Sequence, residues 1–231
     1  VYFQADHVDV ADPNGKLQPF YNFGCITGNH VIDLNGHTLT IGATLFNMNA
    51  KNKFDASVLF KNGTVNVNNK VFWAMSCNKV GYVDKLVTAT FENITFTNIG
   101  TNWIGVNTQE NFAFQHNLIF NNCTFDIGAD YAASVFNLSG SSLSTVDIQV
   151  NGGKFILGNN TYHIFSTTRP EKHTFAYGAY NGQYPIFALA GKIDTTAVRE
   201  ISKDGTPLAL YRSMSGEENV YTLSPFAIVK T

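Results

Sequence analysis

A strand, a step of asparagine or glycine, and a second strand return about every thirty residues in this chain, and no other feature limits its fold as much. The unit is seen in VLFKNGTVNV (58–67), ATFENITFTNI (89–99), LIFNNCTFDI (118–127) and IQVNGGKFIL (148–157). Their anchor residues Phe60, Phe91, Phe120 and Val150 lie 31, 29 and 30 positions apart. VIDLNGHTLTI (31–41) is an earlier, shifted copy anchored on Leu34. Within each copy apolar and polar residues alternate, the period of a strand with one buried face, and the Asn/Gly step marks a bend.

A second motif keeps step with the first: TLFNM (44–48), KVFWAM (70–75), NWIGV (102–106), SVFNL (134–138), HIFST (163–167) and PIFAL (185–189). Its central residues Phe46, Phe72, Ile104, Phe136, Phe165 and Phe187 are 26, 32, 32, 29 and 22 apart. Short strands, no heptads and a period of this length predict an all-β solenoid, of five to six coils. Equivalent strands then pair in parallel at ~4.8 Å, so like residues stack. The expected interior ladders are Phe60–Phe91–Phe120, then Val65–Phe96–Phe125–Phe155, then Phe46–Phe72–Phe136–Phe165. Asn62, Asn93 and Asn122 should form an amide column at the bend. A β-sandwich also has short alternating strands, but nothing in it holds two motifs in register.

These ladders resemble those of the right-handed parallel β-helix, the pectate-lyase-like superfamily, and VIDLNGHTLTI resembles the opening coil of extracellular bacterial β-helix proteins. The resemblance spans roughly residues 25–190. It divides the chain into a lead-in or cap (1–24), the β-helix (25–191) and a C-terminal hairpin or cap (192–231). In the last segment PLALYRSM and NVYTLSPFAIV flank SGEEN as the two arms of a hairpin.

Composition narrows the function. Charged residues make up 14% of the chain and the net charge is −2, so there is no basic face for nucleic acid. The 26 asparagines, with many Gly, Thr and Ser, point to a surface solubilised by amides and hydroxyls, as in exported proteins. A secreted or cell-surface location is therefore expected. No apolar run reaches the ~20 residues of a spanning helix, so membrane insertion is not expected. The opening VYFQA resembles what a cleaved purification tag leaves behind, and the chain reads as a mature fragment. Three dispersed cysteines (Cys25, Cys77, Cys123) lack zinc-site spacing and permit at most one disulfide.

Candidate chemistry is sparse. The resemblance implies lyases with a Lys or Arg base and bound Ca²⁺, or hydrolases with clustered Asp, yet the hydrolase signatures are missing from this sequence. Asp126 and Asp130, in DIGAD, read as solvated turn carboxylates first and as a cation-chelating pair second, Ca²⁺ being the cation they would take. No other cofactor is expected. His163, Arg169 and Lys172, with Glu171 and His173, form the densest titratable set and read as a charged loop first, a proton-abstracting or acid-binding cluster second. Tyr177, Tyr180 and Tyr184, in YGAYNGQY, are the best candidates for stacking on a sugar, with Arg169 and Lys172 beside them. Packing of the last coils is the rival role for that segment. Trp73 and Trp103 read equally as core or as sugar platforms. The sequons at Asn62, Asn93 and Asn122 are explained by the bend column, and two more stand at Asn137 and Asn159. The chain reads as a non-catalytic adhesion or glycan-binding module, whose partner is a polysaccharide or a host or cell-surface glycan. A polysaccharide lyase or glycoside hydrolase is the alternative, and a structural stalk the third reading.

Overall fold

The structure is a computed structural model that describes residues 1–8, 28–42, 46–48, 56–75, 86–100, 102–106, 115–127, 134–138, 145–157, 163–167, 171–189, 201–203, 206–208, 210–212 and 220–223. Asn62, Asn93 and Asn122 all have left-handed backbone, with φ of 60°, 53° and 50°. Asparagine tolerates that region better than most residues with side chains, and each one turns the strand onto a second side. Burial records the same bend. In Leu86–Thr97, residues 87, 89 and 91 are buried, residues 92 and 93 both face out, and burial resumes at 94 and 96.

Repeating this bend builds a parallel β-solenoid. On its first side Gly28–Asp33, Ala56–Asn66, Leu86–Thr97, Gln115–Asn121, Thr145–Asn151 and His173–Gly178 pair in that order, all parallel. The second side carries Thr38–Thr40, the far halves of the two long strands, Thr124–Asp126, Lys154–Leu157 and Ile186–Leu189. Phe46–Met48, Trp73–Met75 and Ile104–Val106 close a third side. No helix occurs among the described residues.

Three successive turns, 28–48, 56–75 and 86–106, are therefore bonded on all three sides, and the solenoid runs for about three complete turns rather than five to six. Past them the first two sides continue, while the third side begins a new sheet with Ser134–Leu138 and His163–Thr167. A side-chain bond stands where that ladder breaks: the Trp103 indole N–H donates to the Val135 carbonyl at 2.7 Å. At the C-terminal end pairing turns antiparallel. Val220–Leu223 covers Ile186–Leu189 and also pairs with Leu210–Arg212, which is the hairpin expected from the sequence. An antiparallel strand ends a parallel stack without leaving that edge open. Most of the expected lead-in lies outside the described residues.

Two interior ladders match expectation. Phe60, Phe91 and Phe120 are in register, and so are Val65, Phe96, Phe125 and Phe155. Rings of Phe91 and Phe120 stack at 4.8 Å, those of Phe125 and Phe155 at 4.7 Å. Elsewhere the reading needs correction. The first-turn anchor is Ile32, which pairs with Phe60, and not Leu34. Four residues (34–37) separate the two strands of that turn where two (62, 63) do so on the next, and the longer bend displaced the alignment. Trp73, and not Phe72, holds the third-side register with Phe46, while Phe187 belongs to the second ladder, opposite Phe155. Phe72 and Trp73 are both fully buried, as are Trp103 and Ile104, so neither tryptophan is a sugar platform. Alternation holds only along a strand. At this corner Phe72 precedes the strand and turns inward to stack on Trp103 at 5.8 Å.

Candidate functional site

The bend between the first and second sides carries polar side chains outward. Asn122 donates its amide to the Asn93 side-chain oxygen at 2.7 Å, which is one step of the expected amide column, while Asn62 donates to the Asp33 carboxylate at 3.2 Å. Beside it runs an outward column of Thr38, Thr64, Thr95 and Thr124, in register strand by strand. On the turn that begins at Thr145 the sequence at this corner changes.

Gly152 occupies the position that follows Asn121–Asn122 in register, with φ of 61°. A Cβ at Gly152 would lie 2.7 Å from the Cβ of Tyr180. The glycine thus lets the segment 178–186 settle directly onto the bend. Its tip is a two-residue hairpin, Asn181–Gly182, with φ of 50° and 82°. Asn-Gly supplies the positive φ at both central positions that such a turn needs. Tyr180 and Gln183 exchange main-chain bonds of 2.9 and 3.0 Å across it. Gly152 N–H to Gly178 and Ile186 N–H to Gly153 pin the two arms at 3.0 and 2.9 Å.

A groove of about 300 Å³ lies under this hairpin, floored by Asn122, Thr124 and Lys154 and walled by Tyr180, Gln183 and Tyr184. Tyr184 is 41% exposed and Tyr180 half-buried. Tyr177 is not part of it. That residue ends the sixth strand of the first side, its ring packs edge-on against Phe175 at 4.7 Å, and burial raises its hydroxyl well above the usual phenol range. The strand His173–Gly178 takes in the start of YGAYNGQY, so that segment is not wholly a loop.

The titratable set does not gather at the groove. Arg169 lies outside the described residues, as does the His163 side chain, whose backbone pairs with Ser134. Lys172 is half-buried in the turn just before His173–Gly178, eight residues from Tyr180, and does not line the groove. His173 is 2% exposed, with Nδ1 2.7 Å from the Thr167 hydroxyl, and is no surface cation. His116 is fully buried within Gln115–Asn121.

Asp126 is half-buried on the second side, opposite Ile156, and Asp130 lies outside the described residues. Among the described residues no three His, Cys, Asp or Glu side chains converge as a metal site. Cys123 is a buried free thiol, its pKa pushed up to about 12 by burial, and it packs in the core. Sequence reading missed Lys154, although a signal was present: aligned copies read Thr at that position on four turns and Lys on the fifth.

Comparison with known proteins found no match, neither to a family model nor to a curated protein or a solved structure.

Proposed function

We propose that this chain is a non-catalytic, glycan-binding module of a secreted or cell-surface bacterial protein, acting in adhesion, and that its coil is the right-handed one of the pectate-lyase-like superfamily. One observation carries the reading: two tyrosines on a pinned hairpin stand over a floor of amide, hydroxyl and ammonium groups. Sugar rings present apolar faces that stack on aromatic side chains, and hydroxyls that pair with amides. A groove of this size falls at the lower limit for specific small-ligand sites. Its floor and hairpin are held by main-chain bonds, so little ordering is needed on binding.

A glycan array probed with the wild-type protein and with Tyr184→Ala tests this. Binding by the wild type and its loss in the variant, at an unchanged melting temperature, is the expected result. Silence across the array would refute the reading and leave a structural stalk. Incubation with uronate-containing and neutral polysaccharides tests the enzyme alternative, since new reducing ends or unsaturated products would make the protein a hydrolase or a lyase.

A further inference from the structure

In a stacked repeat, a ladder position that changes on one turn has escaped the constraint that fixed it on the others, and such breaks of local rule mark functional places. The outward column of the second side is threonine on four successive strands, then becomes Lys154. On the same turn the bend residue changes from asparagine, at 62, 93 and 122, to Gly152. Both changes meet at the groove: Gly152 seats the hairpin, and Lys154 lies in the floor beneath it.

Strand pairing does not ask for this lysine. Threonine is the better residue on an exposed, pleated surface, and it serves on the four strands before. What Lys154 adds is, among the described residues, the one cationic side chain lining a groove otherwise made by amides, a threonine hydroxyl, tyrosines, Gly153 and Ile186. The ion pairs His37–Asp6 and Lys61–Asp33 lie on the first two turns, and neither involves Lys154. Asp126, the carboxylate on the neighbouring strand, is in register with Ile156 and not with Lys154.

We infer that Lys154 makes the groove selective for an anionic glycan, one bearing a carboxylate or a sulfate. The ammonium donates charge-assisted hydrogen bonds to that group while a tyrosine ring takes the face of the sugar. As a compact point charge on a flexible stem, lysine suits a planar carboxylate or a tetrahedral sulfate alike. The inference rests on the glycan-binding reading above and adds the chemical class of the ligand.

Calorimetric titration of three probes of matched length tests it: an alginate-derived oligouronate, a carrageenan-derived sulfated oligosaccharide and an uncharged cello-oligosaccharide. At low salt at least one charged probe should bind the wild type about tenfold more tightly than the neutral one. Added salt should erode that margin. Lys154→Thr restores the column residue; it should melt with the wild type and lose the tenfold margin, and Lys154→Arg should keep it. A preference for the uronate or for the sulfated probe identifies the anion, and either supports the inference. If the neutral probe binds the wild type as tightly as the charged ones, or if Lys154→Thr keeps the margin, the inference fails and the glycan reading stands. If no probe binds and the array is also silent, both fail together.

Discussion

Acid should destabilise this protein through the buried imidazole of His116. His116 points into the core from the first side, fully buried, with Val87 on the strand before it and Val146 on the strand after it in register. Burial keeps the ring neutral and pushes its pKa down from 6.5 to about 3. In the unfolded chain the ring titrates near its ordinary value, so as pH falls below about 6.5 the unfolded state takes up a proton that the folded state refuses. Stability from this group is complete above pH 6.5 and lost progressively down to about pH 3. Each pH unit in that window costs about 1.4 kcal/mol, hence about 2 kcal/mol at pH 5. His116→Val would continue the valine column of Val87 and Val146 and remove the titration. Urea unfolding at pH 7, 6 and 5 can be followed by fluorescence of the buried Trp73 and Trp103. The variant should gain about 2 kcal/mol relative to wild type between pH 7 and 5, a window above ordinary carboxylate titration. Parallel losses in the two proteins over that window would refute the reasoning.

Substitutions at four further positions probe the ladders and the bend. Phe91→Ala removes a ring in contact with those of Phe60, Phe72 and Phe120, and should cost about 3–5 kcal/mol in denaturant unfolding. Outward-facing Thr90→Ala, one residue away, should change stability by about 0.5 kcal/mol or less. Asn93→Ala places an unsuited residue at a φ of 53° and removes the acceptor for Asn122, for a loss of about 1–3 kcal/mol; Asn93→Gly, which keeps the backbone at ease, should lose less by the same assay. Gly152→Ala forces a Cβ to within 2.7 Å of Tyr180 and should weaken glycan binding on the array more than it lowers the melting temperature.

The ladders of the first two sides were legible because one residue type fixed their phase. Asn62, Asn93 and Asn122 each stand two residues after a phenylalanine of the first ladder and three before the anchor of the second (Val65, Phe96, Phe125), and period-two alternation does the rest. Where the bend grew, as at 34–37, counting from the far strand put the anchor two residues late, on Leu34 instead of Ile32. The third side was legible only in part, because Phe72 lies at a corner, where neighbours in sequence can both face inward. Tyr177 was misjudged for a related reason: glycines and tyrosines look like loop, yet a parallel neighbour, Val150, supplies the pairing that makes the segment a strand. Lys154 was visible as a letter but not as a member of a floor, since the hairpin that roofs it is 26 to 30 residues further on.

Register between equivalent turns also makes length a heritable variable in this fold. The turns that begin at Ala56 and Leu86 present the same faces to their neighbours: phenylalanine above phenylalanine, asparagine above asparagine, threonine above threonine. Unequal recombination that drops or duplicates one such turn joins surfaces already matched to each other, so the product should fold as its parent does. Each event would slide the tyrosine hairpin by ~4.8 Å along the axis relative to the first turn, leaving every residue around it unchanged. Lineages could thereby adjust how far the recognition point stands from the N-terminal coil in whole steps, independently of what it recognises.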